Sequence, residues 1–127
     1  MTIEITLTRA PIVIPPLALA SREIGACVEF QGLVRELEGG TPLTALYYEA
    51  YEPMARSVLT HHFTELSTLH PCDTVLFIHR LGEVPVGAPS LFIRVLAAHR
   101  GEALRFLAES IERLKQDVPI WKRSHTQ

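Results

Sequence analysis

The sequence predicts one α+β domain over residues 1–127, with an antiparallel sheet and packed helices. Three observations lead there. Several segments show the two-residue alternation of strands, and two long segments carry helical 3.6-residue spacing. The strands group around those two helices, where a repeating βαβ chain would alternate strand and helix one for one.

Residues 2–8, "TIEITLT", place Ile3, Ile5 and Leu7 on one face of a first strand. Pro11, Pro15 and Pro16 interrupt the apolar stretch that follows, so an irregular crossing is expected, with a short helix over 17–23. "ACVEFQGLVR", residues 26–35, sets Val28, Phe30 and Val34 against Glu29, Gln31 and Arg35, the pattern of a half-buried strand. "LEGGTP" makes a turn, and "LTALYYEAY" returns as the antiparallel partner of that strand. Pro53 suits a first helical turn, and Ala55, Val58, Leu59, His62, Leu66 and Leu69 keep helical spacing until Pro71. "DTVLFIHRL" and "SLFIRVLAAH" read as strands joined by "GEVPVGAP", a loop too long for a two-residue hairpin. A last helix is expected over about 102–117, with Leu104, Leu107, Ala108, Ile111 and Leu114 in one apolar arc. Pro119 stops it, and Trp121 is expected to anchor an extended tail.

Composition excludes several function classes. Hydrophobic residues make up 47% and charged residues 20%, the balance of a globular chain, and no stretch approaches the roughly 20 apolar residues of a membrane span. The N-terminus lacks the basic start and unbroken apolar run of a secretory signal, so a cytoplasmic location is expected. Cys27 and Cys72 are too few and too scattered for a disulfide framework or a Cys-x-x-Cys site. His61 and His62 are adjacent and point to different helix sides, so no metal site is expected. No phosphate-loop, dinucleotide or nucleophile-elbow motif occurs, and no cofactor is expected. A net charge of −2 gives no global attraction to nucleic acid or anionic membrane, so any anion must be held by a local cluster.

Such a cluster can be assembled from few residues. Lys115 and Lys122 are the only lysines, against ten arginines. Lysine is the basic residue that can lose its proton when partly buried, which suits acid, base or nucleophilic work. Lys115 falls inside the apolar arc of the last helix, so its stem either covers apolar surface beneath a solvated ammonium or enters a pocket. His99 and Arg100 stand where a strand gives way to that helix, a place where first-turn N–H groups also favour a phosphate or carboxylate. The same dipeptide recurs in "IHRLG", so the pair alone is weakly specific. Arg35, beside a glycine turn, would reach the same site only if the fold gathers these segments.

Taken together, "GACVEFQGLVRE", "LYYEAYEPMA", "IHRLGEVPVGAPSLFIRVLAAHRGEA" and "RLKQDVPIWKR" resemble the large, catalytic subunits of molybdopterin synthase, over nearly everything from Gly25 to Arg123. The resemblance implies an α/β hammerhead fold and a homodimer within a heterotetramer, each copy bound to a small ubiquitin-like sulfur carrier. It implies a sulfurtransferase that moves two sulfurs from the carrier's C-terminal thiocarboxylate to cyclic pyranopterin monophosphate, making molybdopterin. It carries substrate contacts onto Leu33, Val34, Arg35, His99, Arg100, Lys115, Lys122, Arg123 and Ser124, with Lys115 and Lys122 catalytic. Three departures accompany it. Glu36 and Leu37 stand where the family often has Asn or Asp and His, Ser124 where it commonly has glutamate, and the sequence given reaches Gln127 where many members continue with a charged tail. The alternatives are a non-catalytic anion- or pterin-binding relative of the same fold and, setting resemblance aside, a generic anion- or nucleotide-binding domain.

Overall fold

The computed structural model describes residues 1–126, and the side chains of these except at positions 38 and 124–126. Eight strands and two helices follow in the order β1 (Thr2–Thr8), β2 (Ala26–Leu33), β3 (Leu37–Glu38), β4 (Thr41–Ala50), α1 (Glu52–Leu69), β5 (Thr74–Arg80), β6 (Gly82–Pro85), β7 (Pro89–Ala97), α2 (Arg100–Asp117) and β8 (Ile120–Thr126). The architecture is α+β, as the patterning predicts.

The main sheet has the order β1-β5-β7-β2. Its β1–β5 pair is parallel, while β5–β7 and β7–β2 are antiparallel. Both helices contact this sheet. The alternation read from β1 and β2 puts Ile3, Ile5, Leu7, Val28 and Phe30 in the resulting core, with Phe63 of α1 and Phe106 of α2 at its centre. Phe63 lies 5.9 Å from Phe77 and 6.0 Å from Phe106 between ring centroids. Each fully buried phenyl ring contributes about 1.5–3 kcal/mol. Central strands β5 and β7 are buried on both faces, and on the far face Leu76, Ile78 and Phe92 pack with Ile12 of the crossing segment.

That crossing holds no helix over 17–23; a single turn forms, in which Glu23 N–H donates to the Ser21 hydroxyl. Pro15 and Pro16 prevent continuous backbone pairing, and the segment is pinned from outside itself instead. Buried Arg94 donates to the Pro15 carbonyl at 2.8 Å and to the Glu29 carboxylate.

The turn at Gly39–Gly40 forms as expected, with φ of 58° and 83° at the two glycines, the conformation that suits a two-residue hairpin. The strand after it does not pair with β2, however. The register breaks between Gly32 and Leu33, and Val34 leaves the main sheet for a second core with Leu43, Leu46 and Val84. Strand β4 is therefore the centre of a second sheet, pairing with β3 and β6 and, over Leu43–Ala50, with β8. The Gly and Pro connection after β5 is thus not simple loop, because residues 82–85 supply β6.

Helix α1 buries Ala55, Leu59, His62, Phe63 and Leu66, while Leu69 is exposed. Helix α2 buries Ala103, Phe106, Leu107 and Ser110, an arc rotated from the expected one, and Leu104 and Ala108 are exposed. Trp121 is also exposed, so pairing with β4, not indole burial, directs the tail. Among the described residues no helix is long and apolar enough to cross a membrane.

Candidate active site

A cleft of about 530 Å³ opens where the two sheets meet the end of α2. Strand β2 supplies Phe30, Gly32 and Leu33, and β7 supplies Ser90 and Leu91. Helix α2 supplies Ile111, Leu114 and Lys115. Tyr48, His79, Ile120 and Lys122 complete the lining with Val118.

Local chemistry explains why the chain's two lysines meet here. Val118 caps α2 in an extended conformation and is buried, and Pro119 prevents the helix from continuing. The Pro119 carbonyl accepts from Tyr51 N–H at 3.2 Å, which turns the chain back along β4. In the β4–β8 ladder Lys122 stands opposite Tyr48, and Arg123 opposite Tyr47. Side chains alternate along a strand, so Ile120 and Lys122 share the cleft side with Tyr48. Arg123 goes to the other face, where its guanidinium pairs with Glu49 and lies 5.5 Å from the Tyr47 ring centroid.

The end of α2 is clamped to α1. His62 Nε2 and Asp117 Oδ1 are 2.6 Å apart, and Arg113 bonds both Glu65 and, at 3.4 Å, His62 Nδ1. With Nδ1 accepting from a guanidinium, the ring's hydrogen sits on Nε2 and is donated to Asp117. The hydrogen bond and charge of Arg113 hold the Glu65 carboxyl below its usual range. This clamp fixes the turn of helix that carries Lys115.

His79 is the cleft's buried titratable group, 4% exposed. Its Nδ1 lies 2.8 Å from the Arg80 carbonyl, and its ring meets Tyr48 edge-on at 4.9 Å. Burial pushes its pKa below the ordinary imidazole value, and the carbonyl bond opposes this only in part. The imidazole is therefore neutral near pH 7.

Of the residues singled out from the sequence, Leu33, Lys115 and Lys122 line this cleft. Val34 is buried in the second core, and Arg35 is exposed just beyond β2. His99 is the N-cap of α2 and Arg100 its first residue, both exposed at the opposite end from Lys115. Fifteen residues of helix separate Arg100 from Lys115, about 22 Å at 1.5 Å per residue, so within one chain the two ends do not share a cleft. The side chain of Ser124 lies outside the described residues. The cleft also gathers Phe30, Tyr48, Ser90 and His79, which the sequence reading did not select. "IHRLG" was the one signal for His79, and it carries no information about which histidine a fold will turn inward.

Comparison with known proteins agrees on the kind of molecule. Residues 7–117 match the family model described as MoaE protein. A molybdopterin synthase catalytic subunit from Synechococcus elongatus is 37% identical over 128 residues, covering 96% of this chain and 76% of the relative. Seven further catalytic subunits of that name, 36–39% identical, extend well beyond the match, and the chain spans 51–65% of their lengths. The crystal structure of molybdopterin synthase from Staphylococcus aureus superposes with a TM-score of 0.81 at 32% identity, over 98% of this chain and 90% of that one. A complex of subunits 1 and 2 of molybdopterin-converting factor from Helicobacter pylori has a TM-score of 0.68 at 23% identity, over 96% of this chain and 83% of that one, a likeness of fold. With a family match across most of its length and relatives this similar, the chain belongs to the MoaE protein family.

Proposed function

We propose that this protein is the catalytic subunit of a molybdopterin synthase, a sulfurtransferase acting in molybdenum cofactor biosynthesis. Its substrates are cyclic pyranopterin monophosphate and the C-terminal thiocarboxylate of a small ubiquitin-like carrier. The observation that carries the reading is the convergence of Lys115 and Lys122, from different elements, on one cleft of small-molecule size.

Both substrates are anions, so a site that joins them needs cationic donors between them. Each transfer puts a carbon–sulfur bond in place of a carbon–oxygen bond on the pterin precursor, the displaced oxygen leaving as the phosphate-ester oxygen or as water. It also breaks the carrier's acyl–sulfur bond, with water taking up the acyl carbon and leaving a carboxylate. In this reading Lys115 contacts the carrier's terminal glycine and moves a proton or stabilises the charge that develops. Lys122 holds the precursor with Leu33, Arg35 and Ser124, while Val34, buried in the second core, and Arg123, on the opposite face of β8, contribute no side chain to it. His99 and Arg100 reach a site by coming from the second copy of a homodimer, whose two sites together with two carriers make a heterotetramer. A cytoplasmic setting suits the two free thiols, Cys27 and Cys72.

The test is turnover of cyclic pyranopterin monophosphate with thiocarboxylated carrier. Wild type converts it, and Lys115→Ala loses on the order of 10²–10⁴-fold in rate, the usual range for removing a proton-transfer group. Unchanged conversion by Lys115→Ala would sink the assignment.

A further inference from the structure

Among the groups lining the cleft, His79 has no part in the reading above. In its neutral ring the Nδ1 hydrogen is donated to the Arg80 carbonyl at 2.8 Å, which leaves Nε2 as a nitrogen with a lone pair and no hydrogen. The ring cannot readily turn. Tyr48 meets it edge-on at 4.9 Å, and Phe77 lies tilted against it at 6.3 Å between centroids. Its low pKa, caused by burial, keeps Nε2 unprotonated at neutral pH.

One cleft therefore offers two opposite chemistries. Lys115 and Lys122 are donors that attract anions, whereas Nε2 of His79 is an acceptor that repels phosphate or carboxylate oxygens. A ligand matching both carries an anionic group at one end and a neutral N–H edge at the other. A carrier tail entering the cleft presents its anion first, so its oxygens fit the lysines and not His79. A pterin phosphate has the required polarity, with the 2-amino group and N3–H of its pyrimidine ring far from the phosphate.

We propose that His79 Nε2 orients the pterin precursor by accepting an N–H from its pyrimidine edge, which directs the phosphate and the reacting carbons toward Lys115 and Lys122. This rests on the proposed substrate and adds a residue and a binding direction to it. A cleft of about 530 Å³ leaves room for a bicyclic ring with its phosphate.

Two measurements test it on the full chain. With thiocarboxylated carrier, His79→Phe keeps a ring without the acceptor, and His79→Gln returns an acceptor near the Nε2 position. The KM for cyclic pyranopterin monophosphate is expected to rise about tenfold in His79→Phe and to stay within about threefold of wild type in His79→Gln, the scale of one hydrogen bond. The KM for carrier is expected to stay unchanged in both. An unchanged precursor KM in His79→Phe, or a raised carrier KM in its place, overturns the proposal. The second measurement needs neither variant nor turnover. In ¹⁵N NMR of the wild-type protein, His79 is recognised by its hydrogen-bonded Nδ1–H, and its bare Nε2 resonance is expected to shift with an unphosphorylated pterin and not with inorganic phosphate. A shift with phosphate alone, or with neither, overturns it. Failed turnover in wild type would count against the catalytic reading, while the NMR result would still decide the role of His79.

Discussion

Lys115 is exposed by area yet lines the cleft, which is how a flexible four-carbon stem at the edge of an apolar stripe behaves. Lys115→Arg keeps the charge and removes access to a neutral amine. It is expected to retain carrier binding in a pull-down while losing most of the activity that Lys115→Ala loses. Wild-type turnover by Lys115→Arg would assign the residue a purely electrostatic role. The cysteines differ in the same residue-by-residue way. Burial, with the Glu102 carboxylate as a lesser cause, pushes the Cys72 thiol up to about 11, whereas Cys27 is exposed. At pH 8 roughly a thousandth of Cys72 is thiolate, so iodoacetamide followed by mass spectrometry should label Cys27 first. Equal labelling rates would contradict the burial seen for Cys72.

The end of α2 depends on its bracket to α1. Replacing His62 with alanine removes a largely buried ring and its bond to Asp117, while Arg113 keeps Glu65. The expected loss is about 2 kcal/mol, read as a lower urea midpoint at constant slope. Turnover should fall further than the unfolded fraction explains, because the bracketed turn carries Lys115. A His62→Ala protein with native stability would show that the bracket holds nothing. The β3–β4 hairpin makes a different demand. Gly40 sits at φ 83° with open space around its α-carbon, so Gly40→Val is opposed by backbone strain and not by a clash. About 1–2 kcal/mol should be lost, with Gly40→Asn recovering part of it in the same denaturation series.

The molecule as a whole has a pH dependence set partly by its buried imidazole. His79 titrates below 6.5 when folded and near 6.5 when unfolded. As pH falls past 6.5 the unfolded chain takes up a proton that the folded chain refuses, so stability declines until the folded pKa is passed. The slope from this one group is at most about 1.4 kcal/mol per pH unit. Glu65 acts in the same direction at lower pH, because its depressed carboxyl stabilises the fold above its unfolded value and loses that effect as pH drops through the folded one. Urea unfolding from pH 7.5 to 5 should show the first decline, and His79→Phe should flatten it. Assembly gives a second test at this scale. If His99 and Arg100 complete the neighbouring copy's cleft, mixing Lys115→Ala with Arg100→Ala restores about a quarter of wild-type activity through mixed dimers. No recovery after subunit exchange would mean that His99 and Arg100 do not complete the neighbouring copy's cleft.

Much of this was legible in the sequence, because alternation and helical spacing are local. Strands β1 and β2, both helices, the break at Pro119 and the interest of Lys115 and Lys122 follow from side-chain periodicity and from what proline forbids. Pairing is not local. The register break at Gly32–Leu33, which sends Val34 and β4 into a second sheet, depends on which cores can be filled together. Strand β6 hides in a connection whose composition reads as loop, and Trp121 is exposed because backbone pairing already holds β8. The site divides along the same line. Sequence alone determined that two scarce lysines flank a forced turn. Only the tertiary structure decided that they line one cleft with a buried, neutral His79, because a strand's inward face is chosen by the layers packed against it.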